Sequence, residues 1–330
     1  MPSEQELLVL SAADVRSLLD VDLAIGSQQL AFESLGRGDA LLPARLLIEG
    51  DKDSVSFCYA ARLAPDAGAV CKFGSVNPAN ADRGMPTISA LVTVLDGEDG
   101  HPVAIIDGTT VTTIRTAAAS AVAARVLARP GSSNLAVLGS GVQADAHVRA
   151  MSRVLPLKAV HVWGVDAGQA AALAGALGEE LDFEVGVAAT AEEAVRQADV
   201  VVGCTTSVEP ILETAWLPAG ATMISIGSFA ADRCEVPQDL LTRAKALVVD
   251  DVDTALEHAG PVVQGIASGV ITADQLVSLG EVLTGARWGR TSDSDIVYYN
   301  SVGVGVQDAA AAAVLVDAAR SAGRGQTVRL

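Results

Sequence analysis

Cysteine, histidine, positive charge and long apolar runs are all scarce in this chain, and each scarcity removes a class of function. The four cysteines, Cys58, Cys71, Cys204 and Cys234, form no C-x-x-C pair, and in 330 residues they read as small buried hydrophobes. The four histidines are equally scattered, so no metal site is expected. Lys and Arg total 22 against 40 Asp and Glu, a net charge of −18. Long-range repulsion then disfavours nucleic acid and anionic membrane surfaces as partners, and any anionic ligand must be held by locally placed cations. The alanine-rich runs Ala117 to Ala124 and Ala309 to Val316 are too short and too interrupted to cross a bilayer. No charged-then-apolar leader opens the sequence, so a soluble cytoplasmic protein is expected. Internal repeats and low-complexity linkers are also missing.

Half of the residues are hydrophobic, and 330 positions exceed what one core usually serves, so two domains are expected. Before residue 110 the pattern gives strands over Val55 to Ala60, Ala69 to Phe73, Ile88 to Asp96 and Pro102 to Ile106. The turn Gly97-Glu-Asp-Gly100 joins the last two as an antiparallel hairpin. A helix over Thr112 to Arg129 carries the chain onward. Strands at 134–139, 159–163, 183–187, 199–204, 222–227 and 246–250 then alternate with helix-forming stretches. That rhythm predicts an α/β fold with a doubly wound parallel sheet. Val306 to Ala322 reads as a final helix returning to the first domain.

The strand Asn134 to Leu138 runs straight into Gly139-Ser140-Gly141-Val142-Gln143-Ala144 and then a helical segment, the context of a dinucleotide site. Gly139 permits the tight turn, Gly141 lets backbone approach a pyrophosphate, and Ala144 lets the helix pack closely on the strand. The phosphates would sit on the free N–H groups and positive end of the helix starting near Val142. Asp166 follows the next strand, 22 positions beyond Ala144. It reads either as an acceptor for the adenosine ribose hydroxyls, favouring NAD over NADP, or as a solvated helix cap.

Three early cations stand among apolar or turn residues: Arg45, Lys72 and Arg115. Lys72 lies mid-strand, where it is either costly and paired or turned to the wet face. Arg115, read at the start of a helix, opposes the macrodipole there, which favours an anion-binding role. Arg45 by itself reads as a surface loop residue.

Lys72-Phe-Gly-Ser-Val-Asn-Pro-Ala-Asn80, Arg115-Thr-Ala-Ala118, Gly139-Ser-Gly-Val-Gln-Ala144 and Ser301-Val-Gly-Val-Gly-Val-Gln-Asp308 together resemble the ornithine cyclodeaminase/mu-crystallin family over nearly the whole chain. The resemblance implies a Rossmann-type doubly wound parallel sheet (119–311) inserted into a discontinuous α+β substrate-binding and dimerisation domain (1–118 and 312–330), in a homodimer. It further implies that Arg45, Lys72 and Arg115 clamp the carboxylate of an amino or imino acid. Lys72 and Arg115 would be the catalytic pair. Thr116, Gln143 and the turn Thr205, Thr206 and Ser207 would lie along the dinucleotide, and Ser301, Val302 and Gly303 near the nicotinamide. Asp308 reads either as an acid in the first turn of the final helix, the preferred reading, or as a catalytic group.

One departure from the family pattern bears on activity. Cyclodeaminases of this family carry an aspartate six residues before a Glu, serving the side-chain ammonium of ornithine. Counting back from Glu235 gives Phe229 here, with Asp232 a substitute base or a turn residue. A buried ammonium left unpaired would cost several kcal/mol. Cys58-Tyr-Ala-Ala61 also stands where many relatives carry a Met-Pro pair. The expectation is therefore an NAD- or NADP-dependent reductase of small imino acids, cyclic ketimines such as Δ1-pyrroline-2-carboxylate or open-chain imines. The alternatives are an ornithine cyclodeaminase and a non-catalytic dinucleotide-binding protein of crystallin type. A short-chain alcohol dehydrogenase is disfavoured, since no Tyr-x-x-x-Lys occurs.

Overall fold

The computed structural model describes residues 6–51 and 53–329. They form two compact units, one of residues up to 115 with those from 304 onward, the other of residues 116–303. Against the expected boundaries at 118/119 and 311/312, residues 304–311 fall in the first unit. The reason is that Gly305–Ala322 is one uninterrupted helix, packed on that unit's Val21–Arg37 helix and sheet.

In the first unit, β1 (Glu6–Leu10), β2 (Leu46–Glu49), β3 (Val55–Ala61), β4 (Val70–Val76), β5 (Ile88–Leu95) and β6 (Pro102–Asp107) join the chain's last strand, Gln326–Arg329, in one sheet. The order is Gln326–Arg329, β1, β6, β5, β4, β3, β2. Strands β2 to β6 pair antiparallel, and the Gly97–Gly100 hairpin joins β5 to β6 as expected. Register places Tyr59, Lys72, Val92, Ile106 and Leu10 in one row across five strands. Leu46, Cys58, Phe73 and Leu91 form a row on the opposite face.

Both faces of this sheet carry apolar side chains, and the buried one also holds a lysine. Phe73 is 57% exposed and Leu91 54%, while Lys72, the residue just before Phe73, is 2% exposed. The wet-face reading of Lys72 is thus overturned, because the pleat turns it with Val70 toward the helices. The expected start of the long helix also shifts, to Gly108–Leu127. Asp107 Oδ1 accepts the Thr110 N–H at 2.8 Å and starts the helix early. Arg115 therefore stands well inside the helix, and the macrodipole argument for it lapses.

The second unit holds β7 (Asn134–Leu138), β8 (Ala159–Trp163), β9 (Glu184–Val187), β10 (Val200–Gly203), β11 (Thr222–Ser225), β12 (Ala246–Val249), β13 (Leu276–Ser278) and β14 (Val297–Asn300). All are parallel, in the order β13, β12, β14, β11, β10, β7, β8, β9. Strands β10, β11, β12 and β14 are buried at every position, as strands covered on both faces are. The order reverses between β7 and β10, so the loops after these two strands flank the switch point where open α/β sheets bind ligands. Among the described residues, no helix is long and apolar enough to cross a membrane.

Candidate substrate and dinucleotide sites

In the first unit, the sheet and one helix bring opposite charges together out of water. Lys72 Nζ donates to Asp308 Oδ1 at 3.0 Å and lies 2.8 Å from Oδ2. Arg115 Nε makes a longer ionic contact of 3.5 Å with Oδ1, and Arg115 Nη1 donates to Gln307 Oε1 at 2.9 Å. Gln307 Oε1 also accepts the Val304 N–H, which fixes the amide's orientation. Gln307 and Asp308 reach this point because Gly305 lets the helix start close to β3: a Cβ there would stand 2.9 Å from Ala60 O. Asp308 is 1% exposed and Arg115 5%, so the reading of Asp308 as a mere first-turn acid is corrected.

Burial is the main influence lowering the Lys72 ammonium pKa to about 8, with Arg115 and Arg45 adding to it and Asp308 opposing. Arg45 belongs to the same group, its guanidinium 4.8 Å from the centre of the Tyr59 ring. All three expected cations therefore gather in one unit, Lys72 and Arg115 on the buried Asp308 and Arg45 over the Tyr59 ring beside Lys72.

The second unit contributes the glycine turn. Gly139 has φ +126°, and a Cβ on it would lie 2.6 Å from Cys204 O, so only glycine lets the loops after β7 and β10 approach this closely. Gly141 is the N-cap of the Val142–Met151 helix with no side-chain cap, and a Cβ on it would meet nothing within 4 Å. That open helix start, flanked by Val142 and Val165, which are 67% and 97% exposed, fits a dinucleotide. Asp166 Oδ1 accepts the Gln169 N–H at 3.0 Å and caps the next helix, and Ser140 Oγ donates to Gln169 Oε1 at 2.8 Å. His147 supports the turn from below, its Nδ1 2.7 Å from Gln143 O and its Nε2 2.9 Å from Ser120 Oγ.

Two buried acids to which the sequence reading gave no role arrange the remaining loops. Glu235 accepts from Thr205 N–H and Oγ1 (2.7 Å each), Ser225 Oγ (2.6 Å) and Gly227 N–H (2.8 Å). It thereby fixes the Thr205–Ser207 turn, in which Ser207 N–H donates to Thr205 Oγ1 and Thr206 O accepts from Arg233. Asp250 accepts from Ser301 Oγ (3.1 Å), Val302 N–H (2.9 Å), Gly303 N–H (2.7 Å) and the Tyr299 hydroxyl. Thr116 is buried in the Gly108–Leu127 helix. The Phe229 ring packs against the core of this unit with the Arg233 guanidinium 5.1 Å from its centre, while Asp232 is exposed on a turn. Elsewhere, Asp96, Asp99 and His101 stand near one another on the exposed hairpin, their carboxylates accepting turn N–H groups.

A parallel doubly wound sheet with a Gly-x-Gly-x-x-Ala turn at its switch point, joined to a unit holding a buried basic cluster, defines a Rossmann-type dinucleotide-binding protein. More narrowly, the chain belongs to the ornithine cyclodeaminase/mu-crystallin family, which it matches over residues 5–323. It is 33% identical to an alanine dehydrogenase of Archaeoglobus fulgidus over 325 residues, 98% of each chain. Its structure is similar to that of Thermococcus litoralis Δ1-pyrroline-2-carboxylate reductase in complex with NADH and L-proline, with TM-score 0.93, 29% identity, and 97% and 100% of the two chains covered. It is also similar to an archaeal alanine dehydrogenase dimer with bound NAD, with TM-score 0.94, 31% identity, and 99% and 100% covered.

Proposed function

We propose that this protein is an NAD-dependent reductase of small imino acids, running in reverse as an amino-acid dehydrogenase. One observation carries the reading. Two cations almost wholly withdrawn from water, Lys72 and Arg115, face a single buried carboxylate, Asp308, in a chain whose net charge is −18. Uncompensated charge in a low-dielectric site is costly, so the cluster calls for one further anion. An imino-acid carboxylate supplies it, and each charge-assisted hydrogen bond contributes about 1.5–3 kcal/mol.

In this reading Arg45, Lys72 and Arg115 orient the substrate, and the Lys72 ammonium gives a proton to the imine nitrogen as the imine carbon is reduced. The cofactor, when bound, supplies the hydride. Gly139 to Ala144, Asp166, Thr116 and Thr205 to Ser207 hold the dinucleotide, and Ser301 to Gly303 line its nicotinamide end. The relatives named above act on an alanine-type and a proline-type skeleton, which agrees with a small imino acid. A cyclodeaminase is disfavoured because the count back from Glu235 reaches Phe229, which has no carboxylate, and the nearby Asp232 is exposed. The exposed apolar row of the first sheet supports a homodimer.

NADH and NADPH oxidation would be followed with Δ1-pyrroline-2-carboxylate and with pyruvate plus ammonia or methylamine. Turnover with at least one imine, faster with NADH, is expected. Silence with all of them, or conversion of L-ornithine to proline without net change in NADH, overturns the proposal.

A further inference from the structure

We infer that Tyr59 is a positioning residue whose aromatic ring gathers Arg45 and Lys72 into one carboxylate site. The inference rests on the imino-acid reading above. Arg45 comes from an irregular segment just before β2, so neither helix nor strand geometry dictates where its guanidinium goes. Lys72 is set by the sheet, directly opposite Tyr59 in the β3/β4 register. The same phenol ring lies 5.1 Å from Lys72 Nζ and 4.8 Å from Arg45 Cζ, both within range of the ring quadrupole. Phe57, one side chain along the same face, stacks on Tyr59 with centroids 4.9 Å apart and planes inclined by 30°, and so braces the ring.

The two cations repel each other, and Arg45 lowers the tendency of Lys72 to carry its charge nearby. A π-face attractive to both offsets part of that repulsion and sets their spacing, so that a carboxylate meets a formed pair. This requires the ring and not the hydroxyl. It also predicts an effect on substrate capture that disappears once Arg45 is gone, which a general packing role would not show.

The test compares wild type, Tyr59→Phe, Tyr59→Leu, Arg45→Ala and the Tyr59→Leu/Arg45→Ala double variant, each as the NADH-loaded enzyme reducing Δ1-pyrroline-2-carboxylate. Tyr59→Phe should match wild type. Tyr59→Leu should raise KM by about 5- to 30-fold, the equivalent of ~1–2 kcal/mol for a part-buried cation–π contact, with kcat within about twofold. In the Arg45→Ala background the same change should add little. An equal effect of Tyr59→Leu in both backgrounds, or a Tyr59→Phe variant as impaired as Tyr59→Leu, overturns the inference. Calorimetric binding of L-proline and L-alanine to the NADH-loaded proteins, which lack an oxidant for the amino acid, reads the same coupling without turnover. A wild type that binds them but reduces no imine thus sinks the functional reading alone, while one that binds neither overturns both.

Discussion

The Lys72 ammonium and the Asp308 carboxylate meet at 3.0 Å across 236 positions of sequence, and together they decide the charge of the first unit's interior. Lys72 titrates near 8 chiefly through burial, with Arg115 and Arg45 lowering it and Asp308 holding it up. An activity that needs the ammonium should fall as pH rises through about 8. Asp308→Asn removes the supporting charge, so the alkaline limb of kcat/KM should move to lower pH, and Asp308→Glu should restore part of it. The Asn variant should also lose about 3–5 kcal/mol of stability in denaturant titration, the cost of breaking a buried pair. For stability the sign is opposite to that for activity. Because the folded value is below the ordinary 10.5, the unfolded chain binds the extra proton between the two, and Lys72 alone makes the fold more stable as pH rises from about 8 toward 10.5. An alkaline limb unmoved by Asp308→Asn would detach Asp308 from Lys72.

Glu235 serves the dinucleotide half of the protein in a comparable way. Its carboxylate takes four hydrogen bonds, including both from Thr205. A glutamine there keeps one acceptor oxygen and turns an NH2 toward donors, leaving buried donors unpaired at about 1–3 kcal/mol each. Glu235→Gln should therefore weaken NADH binding about tenfold or more in a fluorescence titration. An unchanged Kd would mean that the Thr205–Ser207 turn does not touch the cofactor.

His147 links acid sensitivity to the glycine turn. Gln143 O can only accept, so Nδ1 carries the proton and Nε2 accepts from Ser120. Burial lowers the imidazole pKa to about 4 from 6.5, so stability present above 6.5 is lost as pH falls toward 4. The shift corresponds to about 3 kcal/mol. Unfolding free energies measured between pH 7 and 4.5 should fall more steeply in wild type than in His147→Gln; parallel curves would place the acid response elsewhere.

The parts of this molecule legible in sequence were those whose signal is local. Strands β7 to β12 are apolar runs spaced by helix-forming residues, and the Gly139–Ala144 turn follows one of them directly. Strand β14 leaves little trace in the sequence because Val297-Tyr-Tyr-Asn300 is short, follows the polar stretch 291–295, and enters the sheet between β11 and β12 out of chain order. Strands β1 and β2, β13 and Gln326–Arg329 are similarly short, and all but β1 are sheet edges. The cations were visible as charges in apolar surroundings, but their acid was not. Asp308 sits at the head of an alanine-rich helix, where a first-turn acid is ordinary, and only the fold shows that it is buried against Lys72. Glu235 and Asp250 were hidden for the same reason: hydrogen bonds to loops from other strands leave no periodic trace.

The exposed apolar face of the first sheet makes a prediction about assembly. Leu46, Phe73 and Leu91 are 56%, 57% and 54% exposed and lie in one cross-strand row, with Ile48 at 51% on the adjoining one. Apolar side chains aligned over several strands are unfavourable in water unless another surface covers them, and a second copy of this chain offers a self-complementary one. Wild type should sediment as a dimer at micromolar concentration. Phe73→Glu/Leu91→Glu sets like charges within each face and, about a two-fold axis, against the partner's, so it should sediment as a monomer. The glycine turn lies in the other unit, so NADH affinity should be retained and the far-UV spectrum unchanged. A monomeric wild type, or a dimer indifferent to both glutamates, would show that this face is covered by something else.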